Sequence, residues 1–267
     1  METDADAIIT VRGLTAGYGG EVILRDVSFD VRRGEVLFIA GSSGSGKSTL
    51  LKHMIGLYEP LEGSVRIDGA EVTSAFGSAR SQVLRKFGVT YQMGALFGSM
   101  NLLDNVRLPL EEFTDLPAEA MDLIALMKLR LVGLAGSAAR LPSELSGGMQ
   151  KRAAIARAMA LDPEILFLDE PSAGLDPVTS ADVDQLILRL NRSLGITFVV
   201  VSHELRSIFA AADRVILLDP GTRGIIASGT PEELRTRSDV RAVRRFFAPE
   251  AAAAGGAAGA APTTQDV

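Results

Sequence analysis

The sequence predicts an α/β fold in which helices pack on a parallel sheet. Three observations predict it. A short apolar run, Val36-Leu37-Phe38-Ile39-Ala40, meets a glycine-rich turn and then a helical stretch at 49–55. From residue 165 onward strand and helix patterns alternate, with strands at 165–169, 197–201 and 214–218 and helices at 177–194 and 204–212. Such alternation is the mark of parallel strands joined by crossover helices. Finally, 267 residues that are 47% hydrophobic and 22% charged supply one large domain, or a main domain with a helical insert.

The elements follow in order. Residues 7–12, 22–31 and 36–40 carry β-type side chains, with Gly17-Tyr18-Gly19-Gly20 as a turn between the first two. The stretch 63–69 is another short strand closed by a turn. After Gln92 the pattern changes to helix. Residues 104–112 and 117–133 are the first two, the latter with apolar residues at Met121, Ile124, Ala125, Leu126 and Leu129. Residues 146–161 form a third, rich in Ala and Arg. Asp176-Pro177 is a helix start, with Asp as N-cap and Pro at the first helical position. The Ala/Gly-rich tail, 248–267, is of low complexity and is expected to be disordered. No internal repeat is present.

Composition excludes several classes. There is no cysteine, hence no disulfide, thiolate metal site or cysteine nucleophile. A net charge of −6 gives no general affinity for nucleic acid. The basic runs at 235–237 and 241–245 read as solvated helix faces. The acidic start, Met1-Glu2-Thr3-Asp4, is not that of a secretory signal. No apolar run approaches the ~20 residues that span a bilayer. Any membrane part is expected on another chain.

The segment Gly41-Ser42-Ser43-Gly44-Ser45-Gly46-Lys47-Ser48, followed by Thr49, fits the pattern G-x-x-x-x-G-K-[ST]. Its strand and helix flanks are what a phosphate cradle needs. Glycines let successive N–H groups turn inward, and the helix N-terminus adds positive dipole. Lys47 supplies a point charge for the β- and γ-phosphates, and Ser48 a hydroxyl for Mg²⁺. A second element, Ile165-Leu166-Phe167-Leu168-Asp169-Glu170, is a buried strand ending in two carboxylates. Asp169 is expected to hold Mg²⁺ and Glu170 to act as general base toward water. Of the two histidines, His53 lies inside the first helix and reads as structural. His203 lies at a strand end and reads as functional.

The third element, Leu145-Ser146-Gly147-Gly148-Met149-Gln150, opens the Ala/Arg-rich helix. With it the chain resembles the ATP-binding cassette (ABC) family from about residue 8 to 247. The ordered elements are Tyr18, the phosphate loop, Gln92, the signature 145–150, Asp169-Glu170, Ser172-Ala173-Gly174-Leu175-Asp176 and His203. The resemblance implies a P-loop NTPase core with a RecA-like parallel sheet, an antiparallel β subdomain and an α-helical subdomain at about 93–161. It implies ATP and Mg²⁺ as ligands and a head-to-tail dimer, each ATP lying between one copy's phosphate loop and the other's signature. By the same likeness, residues 41–49 bind the phosphates, Tyr18 stacks on adenine and Gln92 reaches Mg²⁺ and the water. Ser146, Gly147 and Gly148 meet the γ-phosphate across the dimer, Asp176 contacts the other copy, and His203 orients Glu170. Met149 departs from the glutamine that many members carry, while the serine and glycines of the signature are intact.

The stretch Gln92-Met93-Gly94-Ala95-Leu96-Phe97-Gly98-Ser99-Met100-Asn101-Leu102-Leu103-Asp104-Asn105-Val106, with the ending 239–247, resembles ATPase subunits of Mla/Mce-type phospholipid transporters. That likeness implies integral membrane permease partners, an Mce-type lipid-binding protein and a STAS-domain protein. It also implies a peripheral place on the cytoplasmic face of the inner membrane. Two alternatives stay open: the ATPase of a solute importer, which shares every ATP motif, and a non-transport ABC ATPase. The latter lacks support, since no sustained heptads and no second cassette are present.

Overall fold

The computed structural model describes residues 6–92 and 95–248. The expected tail from Pro249 onward, and Met93 and Gly94 of the glutamine segment, lie outside the described residues.

A long hairpin opens the chain. Strands β1 (Ala7–Tyr18) and β2 (Glu21–Arg32) pair antiparallel about the turn Gly19-Gly20, both residues at positive φ. Both strands outrun the sequence expectation, because their pairing sustains residues that carry little β signal alone. With β4 (Glu62–Ile67) and β5 (Ala70–Glu71) they form a sheet of order β2-β1-β4-β5.

The central sheet holds six strands. β3 (Val36–Gly41), β6 (Phe87–Thr90), β7 (Ile165–Asp169), β8 (Thr197–Val201) and β9 (Arg214–Asp219) run parallel. β10 (Gly224–Gly229) closes one edge antiparallel, giving the order β10-β9-β3-β8-β7-β6. Every residue of β3, β7 and β8 is buried, which accounts for their unbroken apolar runs. The period of two sorts them into two cores. Phe38, Ala40, Leu166, Leu168, Phe198 and Val200 face one side, where helices cover them. Leu37, Ile39, Phe167, Val199 and Val201 face the other, against the antiparallel sheet and helix α1 (Lys47–Met54).

Helix α2 (Gly77–Leu84) precedes β6. Between β6 and β7 lie α3 (Leu102–Phe113), α4 (Ala118–Leu131) and α5 (Gly147–Ala158), close to the expected helices. Asn101 caps α3 and Ser146 caps α5 through their side chains. Helix α6 (Pro177–Leu194) starts as expected, the Asp176 carboxylate accepting from the N–H groups of Val178 and Thr179. It ends on Gly195 at φ 69°, the left-handed cap glycine favours. Helices α7 (Leu205–Ala211), α8 (Pro231–Arg237) and α9 (Arg241–Phe247) complete the chain.

Candidate functional site

The C-terminal ends of β3, β7 and β8 converge with the N-terminus of α1, where open parallel sheets present ligand sites. The turn after β3 cannot hold larger residues. Gly41 sits at φ 151°, and a Cβ there would lie 2.5 Å from the Ser45 hydroxyl and 2.6 Å from the Leu218 carbonyl. Gly46, at φ 94°, is the residue immediately before α1. Lys47 is folded back, its ammonium donating to the carbonyls of Gly41 (2.9 Å) and Ser42 (3.0 Å). The loop is thus curled around its own lysine.

A cavity of about 520 Å³ opens over this turn. Its wall comprises Ile23, Ser43, Gly44, Gly46, Lys47, Ser48, Thr49, Gln92, Glu170 and His203. Residues distant in sequence, Lys47, Gln92, Glu170 and His203 among them, therefore meet on one wall. Ser48 Oγ donates to Asp169 Oδ1 at 3.2 Å. Glu170 Oε1 lies 2.7 Å from His203 Nδ1. Glu170 Oε2 is buried without a hydrogen-bond partner among the described residues. Glu170 also holds a left-handed backbone, φ 50°, with its N–H donating to the Val201 carbonyl at 2.9 Å. Such a conformation costs a non-glycine residue about 1 kcal/mol, and here it turns the carboxylate out of the strand line.

The electrostatics follow from burial. Burial lowers the Lys47 pKa, against the pull of Glu170 and Asp169. Burial raises the pKa of Asp169, Ser48's hydrogen bond works against that rise, and the neighbouring Glu170 adds to it. The cavity wall thus carries one ammonium, Lys47, and one carboxylate, Glu170, with the buried carboxylate of Asp169 next to them behind Ser48. The pair Ser48 Oγ and Asp169 Oδ1 offers hard oxygen donors of the kind that hold Mg²⁺ with water and phosphate making up the rest. No cluster of three or more His, Cys, Asp or Glu capable of holding a metal alone exists among the described residues.

Other expected site residues lie elsewhere. Ser146, Gly147, Gly148 and Asp176 are not on the cavity wall. They form a patch of their own. A Cβ on Gly148 would come 2.3 Å from Thr179 Cγ2, and one on Gly147 3.2 Å from Leu175 Cδ2. The signature thus packs against Leu175 and the first turn of α6, with Ser146, Gly147 and Asp176 exposed. Tyr18 is not on the wall either. Its ring meets Tyr58 edge-on at 4.9 Å and His53 at 5.8 Å. His53 is fully buried, Nδ1 lying 2.8 Å from the Thr49 carbonyl, in keeping with a structural role.

Sequence reasoning passed over two contributors. Ile23, on β2, forms part of the wall. Lys151, on α5, donates to the carbonyls of Gln92 (2.5 Å) and Glu170 (3.1 Å). Neither belongs to a motif, and only the folded chain brings them near.

Comparison with known proteins gives a consistent picture. The profile described as ABC transporter matches residues 24–173. The chain is 40% identical over 237 residues to the intermembrane phospholipid transport system ATP-binding protein MlaF of Haemophilus influenzae, covering 89% of each chain. It is 42% identical over 239 residues to the probable ribonucleotide transport ATP-binding protein mkl of Mycobacterium leprae, covering 90% of this chain and 68% of that one. Among solved structures it resembles the dimeric post-hydrolysis state of the ATP-binding cassette MJ0796 bound to ADP and Pi. That likeness has a TM-score of 0.75 and 32% identity over 84% of this chain and 98% of the other.

Proposed function

We propose, on the premise that the chain belongs to the ABC transporter family, that it is the ATP-hydrolysing subunit of a membrane lipid transporter of the Mla/Mce type. The observation that carries the ATPase half of this reading is a site divided within one chain. The phosphate-loop cavity is lined by Lys47, Ser48, Glu170, Gln92 and His203, with Asp169 behind Ser48 at 3.2 Å, while the signature helix N-terminus stands exposed on a separate patch. A second copy placed head to tail would bring its Ser146, Gly147 and Gly148 over the first copy's γ-phosphate, and its Asp176 against the interface.

Within the cassette, taken as 7–247 with its helical subdomain at about 93–161, each residue then has a role. The N–H groups of residues 41–49 and the Lys47 ammonium would hold the β- and γ-phosphates. Tyr18, steadied edge-on by Tyr58, would stack on adenine. Ser48 and Asp169 would hold Mg²⁺, with Gln92 reaching it from the cavity wall; bound there, the ion neutralises charge on the phosphate oxygens. His203 fixes one oxygen of Glu170 at 2.7 Å, so the partnerless Oε2 is the one left to take a proton from the attacking water.

The lipid assignment rests on the stretch 92–106 and on the MlaF relative. It carries with it permease partners, an Mce-type protein, a STAS-domain protein and a peripheral position on the cytoplasmic face of the inner membrane. Among the described residues no helix is long and apolar enough to cross a membrane. A second reading has its own support: the mkl relative is named for ribonucleotide transport at 42% identity. A tagged pull-down from detergent-solubilised host membranes, with mass spectrometry of proteins and lipids, tests both. Recovery of an Mce-type protein with bound phospholipid supports the lipid transporter. Recovery of a solute permease without lipid overturns it and leaves the ATPase standing.

A further inference from the structure

Helix α5 opens with the signature, and two of its cations reach the glutamine segment that the structure describes at 92 and 95. The Lys151 ammonium donates to the Gln92 carbonyl at 2.5 Å. Arg157 donates to the Ala95 carbonyl at 2.7 Å and lies over the Phe97 ring, 5.7 Å from its centroid. Ala95 is left-handed at φ 51°. The described ends of the glutamine segment are therefore each tied to the same helix.

Lys151 does more than grip that segment. The same ammonium donates to the carbonyl of Glu170 at 3.1 Å. Glu170 is the residue whose left-handed backbone aims its carboxylate at the cavity. A single cation thus joins residues 59 and 19 positions away from it. Charged donors to carbonyls are the stronger class of hydrogen bond, and here both acceptors are peptide groups that side-chain variation at 92 or 170 would not remove. The ammonium is half-buried and stands in the field of Glu170, Asp169 and Glu204. It is thus held by the site's own negative charge.

We propose that Lys151 is a positioning residue for ATP hydrolysis: it locks the Glu170 turn and the Gln92 peptide to the signature helix, so that both side chains stand in the cavity only while α5 is in place. The inference rests on the ATPase reading above. Its consequence is mechanical. Engagement of the signature by the opposite copy's nucleotide fixes α5, and Lys151 passes that placement to the base and to Gln92 within its own chain. Lys151 is not on the cavity wall and its ammonium is spent on two carbonyls, so its removal should slow turnover without weakening nucleotide binding.

The test uses the full chain with Lys151→Met, which keeps the apolar stem, and Lys151→Arg, which keeps the charge and donors. Turnover against ATP concentration, equilibrium binding of a fluorescent ATP analogue and thermal midpoints are measured together. Lys151→Met should lower kcat about tenfold or more, with nucleotide affinity within about twofold of the parent, and Lys151→Arg should restore most of the turnover. If Lys151→Met proves unfolded by its thermal midpoint, Lys151→Gln, a shorter neutral donor, takes its place with the same expectation. Parental kcat in the neutral variant, a loss of affinity that matches the loss of turnover, or failure of Lys151→Arg to recover activity would each overturn the proposal. Absence of ATP turnover in the parent itself would instead overturn the ATPase reading on which it rests.

Discussion

Replacing Asp184 by asparagine should make the folded chain more stable at neutral pH, by an amount that shrinks as the medium is acidified. Asp184 lies on the inner face of α6 and is 3% exposed. The Ser207 hydroxyl donates to its carboxyl, Glu204 repels it, and Oδ1 has no hydrogen-bond partner among the described residues. Burial is the main cause of a pKa pushed from an ordinary 3.8 to about 6. The sign follows from proton counting. Between those two values the folded chain binds more protons than the unfolded chain, so stability falls as pH rises through the window and is flat above it. Each pH unit of displacement is worth about 1.4 kcal/mol, so the ionised carboxylate costs the folded state about 3 kcal/mol at pH 7.5 and about 1 kcal/mol at pH 4.5. Asparagine has nearly the same shape and no such cost. The chain has no tryptophan, so urea unfolding is best followed by circular dichroism. Low micromolar protein is advisable, because the pI of about 5.1 lies inside the window. A gain for Asp184→Asn that is absent at pH 7.5, or equal at both pH values, would refute the reasoning.

Lys47→Ala removes the one ammonium on the cavity wall and should weaken ATP binding by about 100-fold in an equilibrium titration, as loss of a charged phosphate contact does; unchanged affinity would sink the phosphate-loop assignment. Glu170→Gln keeps the hydrogen bond toward His203 in reach but removes the base, so turnover should drop by about 100-fold or more while MgATP drives a dimer visible by size-exclusion chromatography. Gly88→Ala would put a Cβ 2.0 Å from the Ala158 carbonyl, where α5 rests on β6. Urea unfolding should register a loss of about 2 kcal/mol or more for that change, since the neighbour is backbone and cannot swing away.

Much of the candidate site was legible from the chain because its parts are local. The strand, glycine turn and helix around Gly41 to Ser48 occupy adjacent residues. So do the strand and paired carboxylates at Asp169 and Glu170, and the cap formed by Asp176 and Pro177. In each the backbone demand and the side-chain chemistry are written within a few positions. One legible element was passed over: Thr230, Pro231 and Glu233 form a full capping box at the start of α8. Other elements left little to read. Helix α2 buries only Val83, β6 has four residues, and β10 owes its extension to pairing with β9.

The sequence by itself thus determined the fold class, the phosphate cradle, the acidic strand end and the order of the motifs, since these rest on short-range geometry and on hydrophobic period. The tertiary structure alone decided what touches what. It decided that His203 meets one oxygen of Glu170 and leaves the other free, and that Tyr18 joins Tyr58 and His53 away from the cavity wall. It decided that Asp184 is sealed from water and that Lys151 joins the carbonyls of Gln92 and Glu170. The reason is physical: burial and ion pairing depend on distances between residues far apart in the chain, and nothing in local propensity encodes them.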